Sequence, residues 1–491
     1  MSNASSAVHI DQLYEKWGLD PLVFQSTEAR LETRLQDVIV YPDWWYDLLG
    51  NVTDTTFRVV VGVRGAGKSA LRRLISDRCG NEIFSNKQLK GLVLSIEIDH
   101  DITGWVTEPD DLNITLRHFV RHIIELVSVG IVSNIEKDTL KEKLTKAELE
   151  QLDRHLSYSL YSYPPEKLDE LRRKTRSTMK SVTENEVFKK TLDIFKELTG
   201  SPNEDQSVIS RNMSLVDTDL PEIIKIGKKV GFDAVYVLVD EIDEYPETQK
   251  DNRRAATLLV SLLSSSWLLE QKSLALKFFI SESIFNTVPD ICEKESKEIR
   301  WDRSNHNEPY KLSWDIEEIK NMLVSRLKTY STGNSVESMS NFCVPSLAER
   351  IDYEIAKYSF RSPRYYITFC RNLARAAARQ AFICNFKITE QMFEDELLKY
   401  CKFSCREQYS LVATNTLLKF NKVEFSGIEF METLGIEREQ ADSVLKFLTV
   451  PGGLEKYEDL SGSQYNIKDP RLIYLIEAEK KIPGSGLISS N

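Results

Sequence analysis

A glycine-rich segment near the amino terminus constrains the fold of this chain more than any other feature. Residues 57–70 read FRVVVGVRGAGKSA, a β-branched apolar run followed by glycines and then a lysine and a serine that open a helical pattern. Glycine lets a loop wrap an anion with its N–H groups pointing inward, and the positive end of the following helix dipole faces the same anion. The segment therefore predicts a strand, a phosphate-binding loop and a helix, as found in three-layer α/β proteins with a mainly parallel sheet.

The residues expected to contact the phosphates follow from the pattern G-x-x-x-x-G-K-S. They are Gly62, Val63, Arg64, Gly65, Ala66, Gly67, Lys68, Ser69 and Ala70. Lys68 would reach the β- and γ-phosphates of a nucleotide, and the Ser69 hydroxyl would ligate Mg²⁺. The alternative is a glycine-rich turn before an ordinary helix, which the flanking strand and helix patterns disfavour.

A second apolar strand pattern, AVYVLVDEIDE at residues 234–244, ends in carboxylates. A buried parallel strand has no reason to end in acids unless something cationic binds there. Asp240 is the predicted Mg²⁺ ligand, directly or through water, and Glu241 is the predicted base that polarises the attacking water. Asp243 either supports these groups or faces solvent. Acids commonly begin the loop after a strand, but beside a glycine-rich loop they indicate a nucleotide site.

Other polar residues are weaker candidates for the same site. Ser281 ends a strand pattern and would lie beside the γ-phosphate if that strand lies between the two motif strands; the alternative is ordinary loop polarity. Arg364, in the first turn of a helix that Pro363 can start, is the candidate sensor of the γ-phosphate. Arg371, Arg375 and Arg379 share a helical face, where pairing with acids is the favoured interpretation.

Composition narrows the class of protein. The chain has 491 residues, 41% of them hydrophobic and 28% charged, which predicts a soluble protein of several domains. Its net charge of −11 argues against wholesale coating of nucleic acid or of an anionic membrane. The seven cysteines are scattered, as expected for reduced thiols, and we find no signal peptide or membrane-spanning run. We expect a cytoplasmic protein.

The sequence predicts four parts: an amino-terminal helical segment (1–56), a nucleotide-binding core (57–314), a helical lid (315–404) and a winged-helix-like domain (405–491). A helix is expected near residues 27–35, and a long helical insertion interrupts the core at about residues 100–230. We interpret the basic cluster at 167–180 as a solvated helix face, with contact to nucleic acid or an acidic partner as the alternative.

Three smaller features leave alternatives open. Trp44 and Trp45 are interpreted as packing residues rather than as an adenine stack. Arg300 and Arg303 are interpreted as surface arginines, with reach to a neighbouring subunit's phosphate as the alternative. The third helix of the last domain starts with Glu437, Glu439 and Asp442, which would face DNA phosphates unfavourably. We therefore favour protein interaction or packing for this domain.

These motifs carry a family resemblance. GVRGAGKS, VLVDEID, the polar strand end at Ser281 and RSPRYY in a helical region resemble the motifs of AAA+ ATPases and the related STAND-type signalling ATPases. The trailing domain is similar to the winged helix of initiator-loader ATPases and of prokaryotic P-loop ATPases tied to genome defence. The resemblance implies that Lys68 and Asp240 bind phosphate and Mg²⁺, that Glu241 is the catalytic base and that Arg364 is the lid arginine. Arg361 stands where that lid motif expects glycine.

The predicted function is that of a Mg²⁺-dependent ATPase which acts as a nucleotide-controlled switch for a partner protein, with prokaryotic genome defence as a candidate setting. Adenine rather than guanine follows from the resemblance. One alternative is a DNA-associated AAA+ loader or motor, which the acidic composition disfavours. Another is a nucleotide-bound scaffold without turnover. A homo-oligomer is compatible with each of these hypotheses.

Overall fold

The computed structural model describes residues 8–50, 57–80, 93–98, 112–135, 137–162, 175–177, 216–242, 252–301, 308–449, 452–459 and 462–481. Asp243, Arg303, most of the basic cluster at 167–180 and the hairpin turn at Ser461 lie outside these residues. The chain clusters into two compact units. The first comprises residues 1–41, 62–67 and 312–491, and the second comprises residues 42–61 and 68–311.

A six-stranded sheet supplies the frame of the second unit. Its strands are β1 (Arg58–Gly62), β2 (Val93–Ile98), β3 (Thr175–Ser177), β4 (Ala234–Val239), β5 (Leu274–Ser281) and β6 (Tyr310–Leu312), in the spatial order β3-β2-β4-β5-β1-β6. The pairs β2–β4 and β4–β5 are parallel, and β3 runs antiparallel to β2. Every residue of β4 is buried, which explains why that strand is apolar throughout. The α/β class predicted from the sequence is confirmed.

The second unit also contains ten helices in its described residues, and eight of them share one apolar core with the sheet. Those eight are Leu112–Asn134, Lys137–Lys143, Lys146–Ser162, Val216–Val230, Asn252–Leu263, Ser266–Leu269, Glu282–Phe285 and Val288–Glu295, and the other two are Trp45–Leu49 and Lys68–Gly80. The charged sequence at 137–150 is typical of one exposed amphipathic helix, but two helices meet there. Thr145 and Glu148 exchange hydrogen bonds in a capping box that starts the second of them.

The first unit is mostly helical. Its helices are Ile10–Lys16, Leu35–Val38, Ile316–Thr329, Pro345–Ala348, Ile351–Ser359, Pro363–Arg379, Glu390–Tyr409, Leu411–Phe420, Gly427–Leu434, Arg438–Thr449 and Pro470–Lys481, with 3-10 turns at Ala29–Leu31, Thr332–Asn334 and Met339–Phe342. Pro363 occupies the start of its helix, as predicted. In the described part of the chain, every helix is too short or too polar to cross a bilayer.

The expected helix near residues 27–35 is wrong. The backbone forms a 3-10 turn and then extends at Glu32, whose ψ is 108°. The Glu32 carboxylate is buried, where it accepts hydrogen bonds from Arg326 at 2.5 Å and from the Tyr330 hydroxyl. This long-range ion pair holds the segment in place and overrides its local helical preference.

The last part of the first unit combines three helices with a small sheet. Its strands β7 (Glu424–Ser426), β8 (Leu454–Asp459) and β9 (Gly462–Ile467) pair antiparallel in the order β7-β9-β8. Rings of Phe420, Phe425 and Phe430 pack together beneath it. The sequence of residues 407–420 favours one helix, but the backbone breaks at Ser410, where φ is +70° and the hydroxyl caps the next helix through the N–H of Ala413.

Candidate functional site

The glycine-rich loop connects β1 to the Lys68–Gly80 helix, as predicted. Gly65 and Gly67 have φ values of +80° and +105°, a region in which a side chain is strained. Gly62 is needed for a different reason, because a Cβ there would lie 2.9 Å from the carbonyl oxygen of Leu312. The loop therefore has the backbone conformation that allows successive N–H groups to converge on an anion.

Within the first unit, the loop packs against residues just before and at the start of the Pro363–Arg379 helix. The backbone N–H of Arg364 donates to the Gly65 carbonyl at 3.4 Å. A Cβ at Gly65 would collide with the Ser362 hydroxyl and would lie 2.9 Å from the Arg364 Cβ. On another side, the Trp314 indole donates to the Ala66 carbonyl at 2.6 Å. These contacts explain why no side chain larger than hydrogen fits at Gly65.

Two polar groups beside the loop have no hydrogen bond among the described residues. They are the fully buried Ser362 hydroxyl and the buried Nε of Arg364. Leaving a buried donor unpaired costs about 1–3 kcal/mol, which an anion on the loop would recover. The predicted phosphate-sensing role of Arg364 stays a prediction, but its position next to Gly65 suits that role. Ser362 is a candidate that the sequence reasoning missed.

The turn before this helix has an unusual backbone. Phe360 and Arg361 have φ values of +33° and +62°, although neither is glycine. Arg361 therefore keeps the left-handed region that glycine adopts easily, at the position where the lid motif expects glycine. Its Nε donates to the Ser313 hydroxyl at 2.9 Å, one contact that holds the turn.

In the second unit, Lys68, Ser69 and Asp240 come together. Lys68 and Ser69 begin the helix, and Asp240 directly follows β4. Burial raises the pKa of Asp240, against the opposing influence of the cations Arg72 and Lys68 and of a hydrogen bond from the Ser69 side chain. The two motifs, far apart in the chain, thus meet at one carboxylate.

The residues around Asp240 suit a hard divalent cation. Asp240 Oδ2 is buried and makes no hydrogen bond within the described residues. An open carboxylate oxygen near a serine hydroxyl matches the oxygen ligands that Mg²⁺ prefers. No cluster of three or more His, Cys, Asp or Glu that could hold a metal occurs in the described part of the chain. Mg²⁺ at Asp240 would therefore take its remaining ligands from water and phosphate.

Arg72 is a candidate site residue that the sequence reasoning missed. Its Nε lies 3.5 Å from Asp240 Oδ2, and its Nη1 lies 3.8 Å from Glu97 Oε2. Arg72 is buried one helical turn after Lys68. The available signal was Glu97, a charged residue within the otherwise apolar strand VLSIEI; Arg72 does not stand out among the other charged residues of its helix.

Glu241 and Ser281 lie at the ends of neighbouring strands. Glu241 has a φ of +60°, a conformation that costs a non-glycine residue about 1–3 kcal/mol and that clusters at functional sites. The Ser281 hydroxyl lies 2.9 Å from the Ser283 hydroxyl at the start of the Glu282–Phe285 helix. The roles of both residues in catalysis stay predictions.

Other candidates have structural partners. Trp44 stacks on Tyr310 with ring centroids 4.9 Å apart, and Trp45 is buried, so both pack as interpreted. Tyr310, the partner of Trp44, is the first residue of β6, whereas the glycine-rich loop follows the last residue of β1. Arg300 pairs with Glu270 at 3.2 Å on the surface, and Arg371 donates to the Gln25 carbonyl at 3.2 Å.

The chain matches no protein-family model and no curated protein. Among solved structures it is similar to a Walker-type ATPase of Pyrococcus abyssi. The sequence identity is 13% and the TM-score is 0.42, over 92% of this chain and 99% of that chain. A likeness at this level leaves the function to be inferred from the residues of the site.

Proposed function

We propose that this chain is a P-loop ATPase that binds ATP with Mg²⁺ and hydrolyses it. One observation carries the proposal. A loop with glycines at positive φ leads directly into Lys68 and Ser69. The charge of Lys68 and a hydrogen bond from the Ser69 side chain both act to lower the pKa of the buried Asp240 carboxyl. An ordinary glycine turn before a helix gives no reason for a buried acid to lie opposite the first residues of that helix.

Each residue has a role that its chemistry supports. The loop N–H groups and Lys68 would hold the phosphates, and Ser69 and Asp240 would hold Mg²⁺. When bound, that ion supplies neutralising charge at the phosphate oxygens. The Glu241 carboxylate would orient a water molecule and accept its proton. An acid at this position, next to the one that serves the metal, favours hydrolysis over binding alone.

We further propose that the nucleotide controls a partner protein. Arg364 contacts the loop at Gly65 and lies in the first turn of a helix of the proposed lid (315–404), so its environment would change with the phosphate on the loop. The helices and strands between Leu411 and Ile467 follow the winged-helix order. The Arg438–Thr449 helix exposes Glu439 and Asp442, which favours a protein partner over DNA.

The test is ATP hydrolysis by the wild type, Lys68→Ala and Glu241→Gln, with and without Mg²⁺ and duplex DNA. We expect Lys68→Ala to lose nucleotide binding. Glu241→Gln should bind Mg²⁺ and ATP like the wild type but turn over about 10²–10⁴-fold more slowly, because a general base is removed without changing the shape of the site. Binding is measured separately, with a fluorescent ATP analogue.

Glu282→Gln is the matched control, since Glu282 follows β5 much as Glu241 follows β4. It should leave turnover unchanged. Hydrolysis that survives Glu241→Gln would remove Glu241 from the mechanism. Tight ATP binding with no turnover by the wild type would favour the scaffold, and strong stimulation by DNA would favour the loader or motor.

A further inference from the structure

A buried cation lies against the carboxylate that we assign to the metal. Arg72 Nε is 3.5 Å from Asp240 Oδ2, and Arg72 Nη1 is 3.8 Å from Glu97 Oε2. The side chains of all three residues are at most 15% exposed, so water screens these charges poorly. Arg72 is therefore an internal bridge between two acids and not a surface arginine.

Strand pairing fixes the two acids relative to each other. Glu97 is level with Leu238 in the parallel pair β2–β4, and the Asp240 N–H donates to the Ile98 carbonyl at 3.0 Å. Because side chains alternate along a strand, Glu97 and Asp240 project from the same face of the sheet. Arg72 reaches both from the Lys68–Gly80 helix, the helix that also carries Lys68 and Ser69.

This arrangement answers an electrostatic problem. Two neighbouring carboxylates repel each other, and a buried negative charge is costly unless a cation lies close to it. A metal ligand has to be held in place before the metal arrives, so an opposing cation on a rigid helix is useful there. The contact with Arg72 is an ion pair without a hydrogen bond to Oδ2, which leaves that oxygen able to accept one from a metal-bound water.

We propose that Arg72 is a positioning residue for the magnesium site: anchored by Glu97, it balances the charge of Asp240 and holds the carboxylate of Asp240 in place. The inference rests on the proposed function, because it assigns a role toward the same ion. Arginine suits the task better than lysine, since its planar guanidinium presents separate N–H groups to two acids at once.

The test is a Mg²⁺ titration of the binding of N-methylanthraniloyl-ATP, read by fluorescence without turnover. We expect Arg72→Met to raise the Mg²⁺ concentration at half-saturation about 10–100-fold, as removal of an outer partner of a metal ligand typically does. Binding of the same nucleotide in EDTA should stay within about threefold of the wild type, because Arg72 acts through Asp240 and not on the phosphates. In the Mg²⁺ titration, Arg72→Lys should lie between the wild type and Arg72→Met, since one ammonium cannot hold both acids.

Arg73→Met is the matched control. Arg73 is the next residue on the helix and pairs with Asp77 at 3.4 Å, so its loss should leave the Mg²⁺ titration unchanged. Glu97→Gln removes the anchor and should shift the titration in the same direction as Arg72→Met but by less. This milder variant keeps the test decisive if Arg72→Met does not fold.

The outcomes separate the two proposals. A wild-type chain that binds no nucleotide with Mg²⁺ would refute the proposed function itself. If the wild type binds and folded Arg72→Met shows wild-type or tighter Mg²⁺ dependence, only the role of Arg72 is overturned. Equal losses in EDTA and in Mg²⁺ would also overturn it, because they would indicate that Arg72 merely supports packing.

Discussion

Two buried arginine–aspartate pairs, one in each unit, differ in how completely the oxygens of the aspartate are hydrogen bonded. In the first unit, Arg471 Nε donates to Asp469 Oδ1 at 3.0 Å and Nη2 donates to Oδ2 at 2.6 Å. The Tyr409 hydroxyl donates to the same Oδ2 at 2.7 Å. In the second unit, Arg72 Nε lies 3.5 Å from Asp240 Oδ2, and this oxygen makes no hydrogen bond among the described residues.

Under the proposed function, the Arg471–Asp469 pair holds the fold, whereas the Arg72–Asp240 pair leaves an oxygen for a ligand. Both carboxylate oxygens of Asp469 are occupied, and the Arg471 guanidinium also lies over the rings of Tyr365 and Phe360 at 4.8 and 5.4 Å. Asp469 therefore has no oxygen left for a ligand. A buried pair with an open oxygen is poorer as a structural contact, and that open oxygen is what a metal site needs.

The largest effect should come from breaking the Arg471–Asp469 pair. Arg471→Met leaves the Asp469 carboxylate buried without its cation, and we expect a loss of about 3–5 kcal/mol in the free energy of unfolding. Urea denaturation followed by circular dichroism measures it. Arg72→Met should lose clearly less, because Lys68 and a hydrogen bond from Ser69 remain at Asp240.

Adding Asp469→Asn to Arg471→Met is the control for this prediction. Removing the stranded charge should recover part of the lost stability, which a double-mutant cycle reports as coupling between the two residues. An absence of coupling would mean that Arg471→Met destabilises the protein through lost packing alone. If Arg72→Met and Arg471→Met destabilised the protein equally, the distinction between the two pairs would fail.

The glycine-rich loop and the turn that packs on it differ in how much of their conformation could be read from the sequence. The conformation of the glycine-rich loop was predictable because it depends on residue identity: positive φ at Gly65 and Gly67 falls on glycine. The turn that packs on this loop has positive φ at Phe360 and Arg361, where residue identity gives no warning. Only the surrounding tertiary contacts account for that backbone.

Site residues divide in the same way. Lys68 and Asp240 could be proposed from the sequence because each stands at a fixed place in a local motif. The roles of Arg72 and Trp314 depend on which distant segments meet, since one contacts Asp240 and the other the Ala66 carbonyl. At Glu32 a local pattern gave a wrong prediction: the sequence favours a helix there, and a buried contact with Arg326 prevents it.

Lys277 is a third buried cation, and its burial predicts that the stability of the protein depends on pH. Lys277 donates to the Leu48 carbonyl and lies 4.8 Å above the Tyr236 ring. Burial, reinforced by Arg58, lowers the pKa of Lys277 to about 7. Between that value and the ordinary lysine pKa of about 10.4, the unfolded chain holds the extra proton, so stability should rise with pH in this window.

We expect Lys277→Met to remove a rise of about 1 kcal/mol per pH unit between about pH 7.5 and 9.5. Urea denaturation at several pH values measures the slope. Exposed Lys272, replaced by Met, is the control and should keep the wild-type slope. Arg471 contributes no slope in this range, because its guanidinium stays protonated beside Asp469. An unchanged slope in Lys277→Met would mean that the buried amine keeps its ordinary pKa.

The smallest effect on stability, and the sharpest contrast, is expected from Asp240→Asn. Because burial raises the pKa of Asp240, its charge opposes folding, and a neutral side chain of the same shape should leave stability unchanged or raise it by up to about 1 kcal/mol. Asp469→Asn should destabilise, since it weakens the hydrogen bonds that Arg471 and Tyr409 donate to this carboxylate. Denaturation of both variants compares them directly, and a Mg²⁺ titration of nucleotide binding should show the loss in Asp240→Asn alone. Equal destabilisation by the two substitutions would mean that Asp240 serves the fold as Asp469 does, since a carboxylate kept for a ligand is one whose charge the fold itself does not need.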